Sequence, residues 1–239
     1  MSRSAYRNKG SKDNIVISIA GVHGIGKTTI FNLFKKRLDE IPKFKFFSER
    51  YRKIPPFPFG SKDKQVAFRS ELHFLQQLVK RNQNILNYDE RYNGRIIILD
   101  RTPLCVLIYS KSLNLKEKDY QLILDHFKSI KWREDNVIYL TAETDTILKR
   151  IIQRGSLEKR RIEWNELEKE YLLKILSYYN QFLLSKKEKK NIFVINTDKL
   201  NPEEVIEKIE EIVAELSGFY FKKILKPTAT QSSLFKYIK

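Results

Sequence analysis

Residues 15–28 read Ile-Val-Ile-Ser-Ile-Ala-Gly-Val-His-Gly-Ile-Gly-Lys-Thr, a β-branched apolar run that leads directly into a glycine-rich loop. The apolar run has the length and composition of a buried parallel strand. The spacing from Gly21 to Gly26, Lys27 and Thr28 matches the P-loop pattern, and the apolar spacing of residues 28–39 is helical. In such a strand–loop–helix unit, backbone N–H groups and the helix N-terminus surround phosphates. The stretch therefore predicts a phosphate-binding domain.

The loop also predicts individual contacts with a nucleoside triphosphate, expected to be ATP. Lys27 would contact the β- and γ-phosphates, and the Thr28 hydroxyl would ligate Mg²⁺. His23 is interpreted as a solvent-facing loop residue. The motif does not specify the reaction, because GTPases, motor ATPases and small-molecule kinases share it. The candidate donor contacts in this loop are Gly21, His23, Gly24, Ile25, Gly26, Lys27, Thr28 and Thr29.

The rest of the chain alternates short apolar runs with helical patterns, which predicts an α/β three-layer P-loop NTPase fold. The sheet would be five-stranded and parallel, with helices on both faces and a basic lid. Its strands are predicted at 14–20, 43–48, 95–100, 136–140 and 191–196. The predicted organisation is a basic N-terminal extension at 1–13, a P-loop domain at 14–216 and a basic C-terminal tail at 217–239.

Helix boundaries follow from capping signals and periodicity. A long helix is predicted at 65–86, with Phe68, Leu72, Leu75 and Val79 on one apolar face. Another helix would begin at Thr102 as N-cap and Pro103. The Asn165-x-x-Glu168 pattern predicts a capping box that opens a helix at 165–185.

Composition limits the compartment and the partners. The single cysteine, Cys105, excludes an internal disulfide, and residues 1–13 lack the apolar core of a signal peptide, so a cytoplasmic location without a membrane span is expected. The formal net charge is +17. A lysine-rich solvated surface is the favoured interpretation, and nucleic-acid binding is the alternative.

Carboxylates and arginines at predicted strand ends indicate the chemistry. Asp100 and Arg101 directly follow the third strand, so Asp100 could hold Mg²⁺ and Arg101 could grip a phosphate or orient an acceptor. Glu49 follows the second strand and could act as a general base toward an acceptor hydroxyl. Because parallel strands present their carboxyl ends at one edge, these groups should meet the phosphate loop there.

A basic cluster follows the predicted fourth strand. Phosphoryl transfer depends on cations that neutralise the transferring phosphate, and a closing lid excludes water. The lid is predicted at about 154–163, with Arg150 as a donor contact and Arg154 as a catalytic residue. The basic residues of the cluster are Arg150, Arg154, Lys159, Arg160 and Arg161.

These motifs together resemble the thymidylate kinase and deoxynucleoside kinase superfamily over residues 14–216. The Arg154–Arg160 lid is similar to the lid of bacterial thymidylate kinases. Lys80-Arg81-Asn82-Gln83 is similar to a segment of the acceptor-side helix in the same enzymes, which implies that Arg81 contacts a nucleotide. In contrast, Glu49 and Asp100-Arg101-Thr102 are similar to deoxynucleoside kinases. So is Glu170-Tyr171-Leu172, whose glutamate receives the sugar 3′-hydroxyl in that family. The resemblance also leaves a homodimer open.

Three functions follow as hypotheses. The favoured one is an ATP-dependent nucleotide kinase acting on a nucleoside monophosphate, thymidylate-like, with Glu49, Arg50, Arg69, Arg81, Arg101 and Glu170 as acceptor contacts. The alternative is a deoxynucleoside kinase acting on a nucleoside 5′-hydroxyl. The third, from another class, is a nucleic-acid-associated P-loop NTPase, favoured by the net charge and the basic tail.

Overall fold

A computed structural model describes residues 13–49, 60–153, 166–185 and 191–221. The strands in these ranges are β1 (Ile15–Ala20), β2 (Phe44–Phe47), β3 (Ile96–Asp100), β4 (Asn136–Thr141) and β5 (Asn191–Asn196). The α-helices are α1 (Lys27–Leu38), α2 (Lys64–Arg91), α3 (Cys105–Ser112), α4 (Glu117–Ser129), α5 (Thr144–Gln153), α6 (Lys169–Tyr179) and α7 (Pro202–Ser217). A π-helix, Asn180–Leu184, continues α6.

The strands form one five-stranded parallel sheet in the order β2-β3-β1-β4-β5. Ile15 of β1 pairs with Ile96 of β3, and Ile17 pairs with Asn136 of β4. This register places the ends of β1, β2 and β3 side by side, so the loops that follow them share one edge. The predicted sheet is confirmed.

Helices cover both faces of the sheet, as predicted. On one face, Phe34 of α1 contacts Phe44 and Phe46 of β2 edge-on, with ring centroids 6.3 and 5.9 Å apart. On the other, Ile85 of α2 packs with Val16, Ile97 and Leu99. Each such fully buried aliphatic side chain stabilises the fold by about 1.5–3 kcal/mol. The two apolar layers fix the sheet between the helices.

Helix α2 is longer than its periodicity predicted. It begins one residue earlier, because the Asp63 carboxylate accepts hydrogen bonds from the backbone N–H groups of Gln65 and Val66. It ends at Arg91 rather than residue 86, since Tyr88 continues the apolar contact with Phe47 of β2. The extra turn extends the helix along the sheet.

Two other helix starts differ from prediction. Helix α3 begins at Cys105, because residues 101–104 form a tight turn in which Thr102 Oγ1 accepts from Leu104 N at 3.3 Å. Helix α6 begins at Lys169, and its N-cap Glu168 makes no side-chain cap. Asn165 lies outside the described residues. By contrast, the capping box at Asn201, which opens α7, is present.

The chain beyond α7 folds back onto the domain. Gly218 ends α7 in the left-handed conformation at φ 66°. Phe219 and Phe221 then pack against Phe44, with ring centroids 4.9 and 5.9 Å away. The packed domain therefore reaches Phe221. Residues 1–12 of the predicted extension at 1–13, the lid at about 154–163 and the predicted tail from residue 222 onward lie outside the described residues.

Candidate active site

The phosphate loop connects β1 to α1 in a conformation that requires glycine. Gly24 has φ 79°, and a Cβ there would lie 2.5 Å from Cγ1 of Ile151. Gly26 has φ 106° and is the N-cap of α1. A side chain would strain the backbone at either position, and at Gly24 it would also clash with Ile151. The loop thus forms an open cradle at the N-terminus of α1, as the motif predicted, and Thr28 and Thr29 are exposed beside it.

Lys27 lies buried beneath the cradle. Its Nζ donates a hydrogen bond to the backbone carbonyl of Val22, 2.8 Å away. Burial and, after it, the nearby Arg101 guanidinium lower the pKa of Lys27 to about 7, against the opposing effects of Asp100 and Glu49. An arriving phosphate would restore the charged ammonium, because a nearby anion favours that form.

Asp100 and Thr28 are the two residues from which the sequence predicts oxygen ligands for a metal ion. Asp100 is 3% exposed, and its Oδ1 makes no hydrogen bond with any of the described residues. A buried carboxylate oxygen without a partner is costly unless a cation or donor reaches it. Carboxylate and hydroxyl oxygens are suitable ligands for Mg²⁺, which usually keeps its remaining positions for phosphate and water. The residues therefore fit the ion.

Glu49 and Arg101 form a buried ion pair beside Lys27. Arg101 Nε lies 2.6 Å from Glu49 Oε2, and the two side chains are 19% and 9% exposed. Burial raises the pKa of Glu49 to about 7 even though Arg101 opposes the shift. Arg101 has φ 71°, a strained conformation for a residue with a side chain. A carboxylate whose pKa lies near neutral pH is suited to accept a proton from a hydroxyl.

The position of Arg81 differs from the nucleotide contact that the sequence predicted. Arg81 is 2% exposed, and its guanidinium donates to the backbone carbonyls of Asp100 and, at 2.9 Å, Arg101. Its hydrogen-bonding groups thus hold the strained turn after β3. We interpret Arg81 as a positioning residue rather than an acceptor contact.

Glu71 is a site residue that the sequence reasoning missed. It is 3% exposed on α2 and has no hydrogen bond to another described residue. Burial raises its pKa to about 8, although Arg101 nearby opposes this, and Glu49 adds to the rise. Helical spacing could have indicated that Glu71 is buried, because it lies four residues before Leu75 and seven before Leu78, which are both buried. The predicted face instead included Leu72 and Val79, which are only partly buried.

A cavity of about 220 Å³ opens on the other side of the phosphate loop. Its lining is mostly apolar and includes Ile25, Leu200 and Val205, together with Arg150 and Thr197. Arg150 donates to Thr197 Oγ1 at 2.8 Å and to the Thr197 carbonyl at 2.5 Å. An apolar slot with a few polar groups, adjacent to a phosphate cradle, suits the base of a nucleotide donor.

The remaining predicted contacts are exposed or lie outside the described residues, apart from His23. Arg69 and Glu170 are exposed to solvent. Arg50 and Arg154 fall in the ranges that are not described. His23 is half-buried and its ring lies between Tyr109 and Tyr171, so the solvent-facing interpretation was wrong.

Comparison with known proteins identifies the family. Residues 17–219 match the deoxynucleoside kinase family model. The chain belongs to the deoxynucleoside kinase family. It is accordingly a P-loop phosphotransferase of a kinase family that uses a nucleoside triphosphate donor. This confirms the superfamily resemblance.

Individual members of the deoxynucleoside kinase family give the same result. The chain is 25% identical over 212 residues to the deoxyadenosine/deoxycytidine kinase of Bacillus subtilis (strain 168), covering 85% of this chain and 93% of the relative. A solved deoxyadenosine kinase from M. mycoides, with the products dCMP and a flexible dCDP bound, superposes with a TM-score of 0.68 at 26% identity, covering 84% of this chain and all of that one (100%). The same enzyme with bound dATP gives 0.66 at 26% identity, covering 83% and 99%.

The family match corrects the predicted acceptor. The favoured hypothesis, a thymidylate-like monophosphate kinase, was wrong, and the deoxynucleoside kinase alternative is the better supported. Arg81, which the similarity of residues 80–83 to thymidylate kinases implied as a nucleotide contact, donates to the backbone carbonyls of Asp100 and Arg101. The match gives no support to a nucleic-acid-associated NTPase. In the described parts of the chain, no helix is long and apolar enough to cross a bilayer.

Proposed function

We propose that this protein transfers the γ-phosphate of ATP to the 5′-hydroxyl of a deoxynucleoside. The observation that carries the proposal is the buried Glu49–Arg101 pair, 2.6 Å apart, beside Asp100 and Lys27. This arrangement joins a candidate general base to a phosphate cradle within one largely buried cluster. A water-poor site strengthens such charge interactions and limits hydrolysis of the donor.

On the donor side, the loop 21–28 would hold the phosphates of ATP and the cavity at Arg150 and Thr197 would hold its base. Thr28 and Asp100 would hold Mg²⁺, which supplies charge neutralisation to the phosphates when bound. Lys27 would bind the β- and γ-phosphates and remain charged there. Arg154 stays a candidate for neutralising the transferred group.

On the acceptor side, Glu49 would accept the proton of the 5′-hydroxyl as the hydroxyl oxygen forms its bond to the γ-phosphorus. The bond from that phosphorus to the β–γ bridging oxygen breaks, and ADP leaves with the electron pair. Arg101 would hold Glu49 in place and stabilise charge at the acceptor oxygen. Most of the acceleration would come from positioning and charge stabilisation.

A neutral acceptor agrees with the contacts that Arg81 and Arg101 already make within the protein. A monophosphate acceptor would need an arginine available for its dianion. Arg81 is engaged with backbone carbonyls and Arg101 with Glu49, while Arg69 is exposed. The described acceptor side therefore favours a nucleoside over its monophosphate.

Glu71 supports deoxyadenosine or deoxycytidine as the acceptor. With a pKa of about 8, its carboxyl is neutral at pH 7 and offers one O–H donor and one C=O acceptor. Adenine and cytosine present a ring nitrogen acceptor next to an amino donor, which this carboxyl can pair with in two hydrogen bonds. The name of the B. subtilis enzyme gives the same two nucleosides, and the M. mycoides enzyme is named a deoxyadenosine kinase and was solved with the product dCMP.

The test is an ADP-release assay with ATP and Mg²⁺ across the four deoxynucleosides and their 5′-monophosphates. We expect turnover with deoxyadenosine or deoxycytidine and none with thymidylate. Glu49→Gln should lower kcat about 10²–10³-fold, since it removes the base but keeps the shape. Preferential phosphorylation of a monophosphate, or full activity of Glu49→Gln, would reject the proposal.

The same panel tests the role of Glu71 with a matched pair of variants. Glu71→Gln keeps a donor and an acceptor at the same place and should retain activity. Glu71→Leu removes both and should lower kcat/KM about 10–100-fold, as expected for lost hydrogen bonds to a base. Equal activity of the two variants would assign base recognition to other residues.

A further inference from the structure

His23, the third residue of the phosphate loop, contacts two distant parts of the chain. Its backbone N–H donates to Tyr109 Oη at 3.0 Å, and its Nδ1 lies 3.3 Å from the same hydroxyl. Its Nε2 lies 3.3 Å from the backbone carbonyl of Glu166. Tyr109 belongs to α3, and Glu166 lies three residues before α6. One loop residue therefore joins the donor cradle to both helices.

One arrangement of protons satisfies all these contacts. In the neutral ring with hydrogen on Nε2, that N–H donates to Glu166, and Nδ1 accepts the hydroxyl proton of Tyr109. The Tyr109 oxygen then accepts the backbone N–H of His23. Burial raises the pKa of Tyr109, so its hydroxyl keeps the proton that this arrangement needs. The contacts therefore form one continuous hydrogen-bonded chain.

Ring packing fixes the same orientation of the imidazole. The Tyr171 ring of α6 stacks on it, with centroids 6.1 Å apart and an interplanar angle of 26°. The Tyr109 ring lies 6.2 Å away at 46°. A loop side chain held on both edges and one face has little freedom, so it transmits the positions of α3 and α6 to the loop.

Helix α3 follows the Asp100–Arg101 turn directly, and this places the contact between the two halves of the site. Arg101 is also close enough to influence the pKa of Tyr109. Any shift of α3 relative to the loop would change the distance between the donor phosphates and the Glu49–Arg101 pair. A misplacement of about 1 Å can cost on the order of 10²-fold in rate.

We infer that His23 is a positioning residue for phosphoryl transfer, which aligns the phosphate loop with the acceptor side through Tyr109 and with α6 through Glu166. The inference rests on the proposed kinase activity. It concerns how the two halves are aligned and assigns no contact between His23 and either substrate.

The experiment compares His23→Ala, Tyr109→Phe, their double variant and His23→Asn, whose amide oxygen can still accept the Tyr109 hydroxyl. We expect His23→Ala to lower kcat about 10-fold, with both KM values within about threefold and a small change in melting temperature, because alignment is lost rather than ground-state binding. Tyr109→Phe should lower kcat as well. The double variant should be no slower than His23→Ala, and His23→Asn should recover part of the loss.

Multiplied effects in the double variant would show that the two residues act independently and would overturn the inference. So would an unchanged kcat in His23→Ala. If His23→Ala fails to fold, Tyr109→Phe carries the test, since it removes a single oxygen, and an unchanged kcat there would be equally decisive. A wild-type protein without transfer to any acceptor would reject the proposed function itself, which separates the two failures.

Discussion

The ionisable residues at the two ends of the parallel sheet differ in whether the folded protein by itself stabilises their charged forms. At the amino ends of the strands, Asn14, Asp89, Arg133 and Asp135 form what we term the amino-end network. At the carboxyl ends, Lys27, Glu49, Glu71, Asp100 and Arg101 form the carboxyl-end cluster. Helix α2 contributes one residue to each, Asp89 to the first and Glu71 to the second.

The amino-end network is internally satisfied. Arg133 Nε lies 2.7 Å from Asp89, its Nη1 lies 2.6 Å from Asp135, and its Nη2 donates to the Asn14 carbonyl at 3.0 Å. Partial burial opposes the charge of Arg133, yet the two carboxylates outweigh it and raise the pKa. The folded protein alone stabilises the ionised forms here.

The carboxyl-end cluster is satisfied only in part, although it contains the Glu49–Arg101 ion pair. Burial shifts the pKa of Lys27 down and those of Glu49 and Glu71 up, in each case toward the neutral form. Asp100 Oδ1 has no partner within the described residues. The comparison indicates that the amino-end network stabilises the fold, whereas the carboxyl-end cluster costs stability that bound nucleotide and metal would recover.

Lys27→Met should give the largest effect. We expect transfer to fall at least about 10³-fold, because the phosphates lose their buried cation. The unliganded protein should nevertheless gain roughly 1–3 kcal/mol at pH 7, since burying the charged lysine is unfavourable there. The sign follows from a pKa lowered from 10.5 to about 7, so the penalty grows as the pH falls through that window.

The matched control is Lys35→Met on the same helix, whose side chain is 44% exposed. It should leave activity and melting temperature nearly unchanged. A Lys27→Met protein that melts well below the wild type would contradict the idea that this end of the sheet is destabilised by its own charges.

Arg133→Met should give the reverse of Lys27→Met, a loss of stability with little change in activity. It leaves Asp89 and Asp135 without their cation, so we expect a loss of about 3–5 kcal/mol in unfolding free energy, measured by denaturant titration. The kcat for the acceptor should stay within about twofold, since the network lies at the opposite edge from the phosphate loop. Arg37→Met, which breaks an exposed pair with Glu203 and Glu210, should cost less than about 1 kcal/mol. A strong kcat defect in Arg133→Met would mean that the two ends are coupled.

Glu71→Gln should give the smallest effect, visible only as pH dependence. The folded-state pKa is raised from 4.5 to about 8, so the wild type loses stability relative to the variant as the pH rises through that window and then levels off. Between pH 5 and 7 the difference should grow by at most about 3 kcal/mol. Melting curves of both proteins at several pH values would measure it, and parallel curves would show that Glu71 is not buried in solution as described.

Much of the fold could be predicted from local patterns. The five apolar runs became the five strands, and the helical spacing of residues 28–39 became α1. The long helix was predicted too short, because its last turn depends on Tyr88 meeting Phe47 from a distant strand. Such a contact has no signature in the helix itself.

The site residues that lie at or just beyond the end of a strand could be predicted from the sequence. Lys27, Glu49, Asp100 and Arg101 converge as the parallel topology implies, whereas Glu71, Tyr109 and the true position of Arg81 required the packing of α2 and α3. A glutamate or arginine on a helix has the same sequence appearance whether it faces water, a ligand or a backbone carbonyl.

The sequence alone determined the parallel sheet and the phosphate loop, because strand periodicity and glycine geometry are local properties of the chain. Only the tertiary structure decided which ionisable groups are shifted toward their neutral forms. Burial and neighbouring charge set the protonation of Lys27, Glu49 and Glu71, and both depend on residues that are distant in the chain and meet only when the helices pack on the sheet.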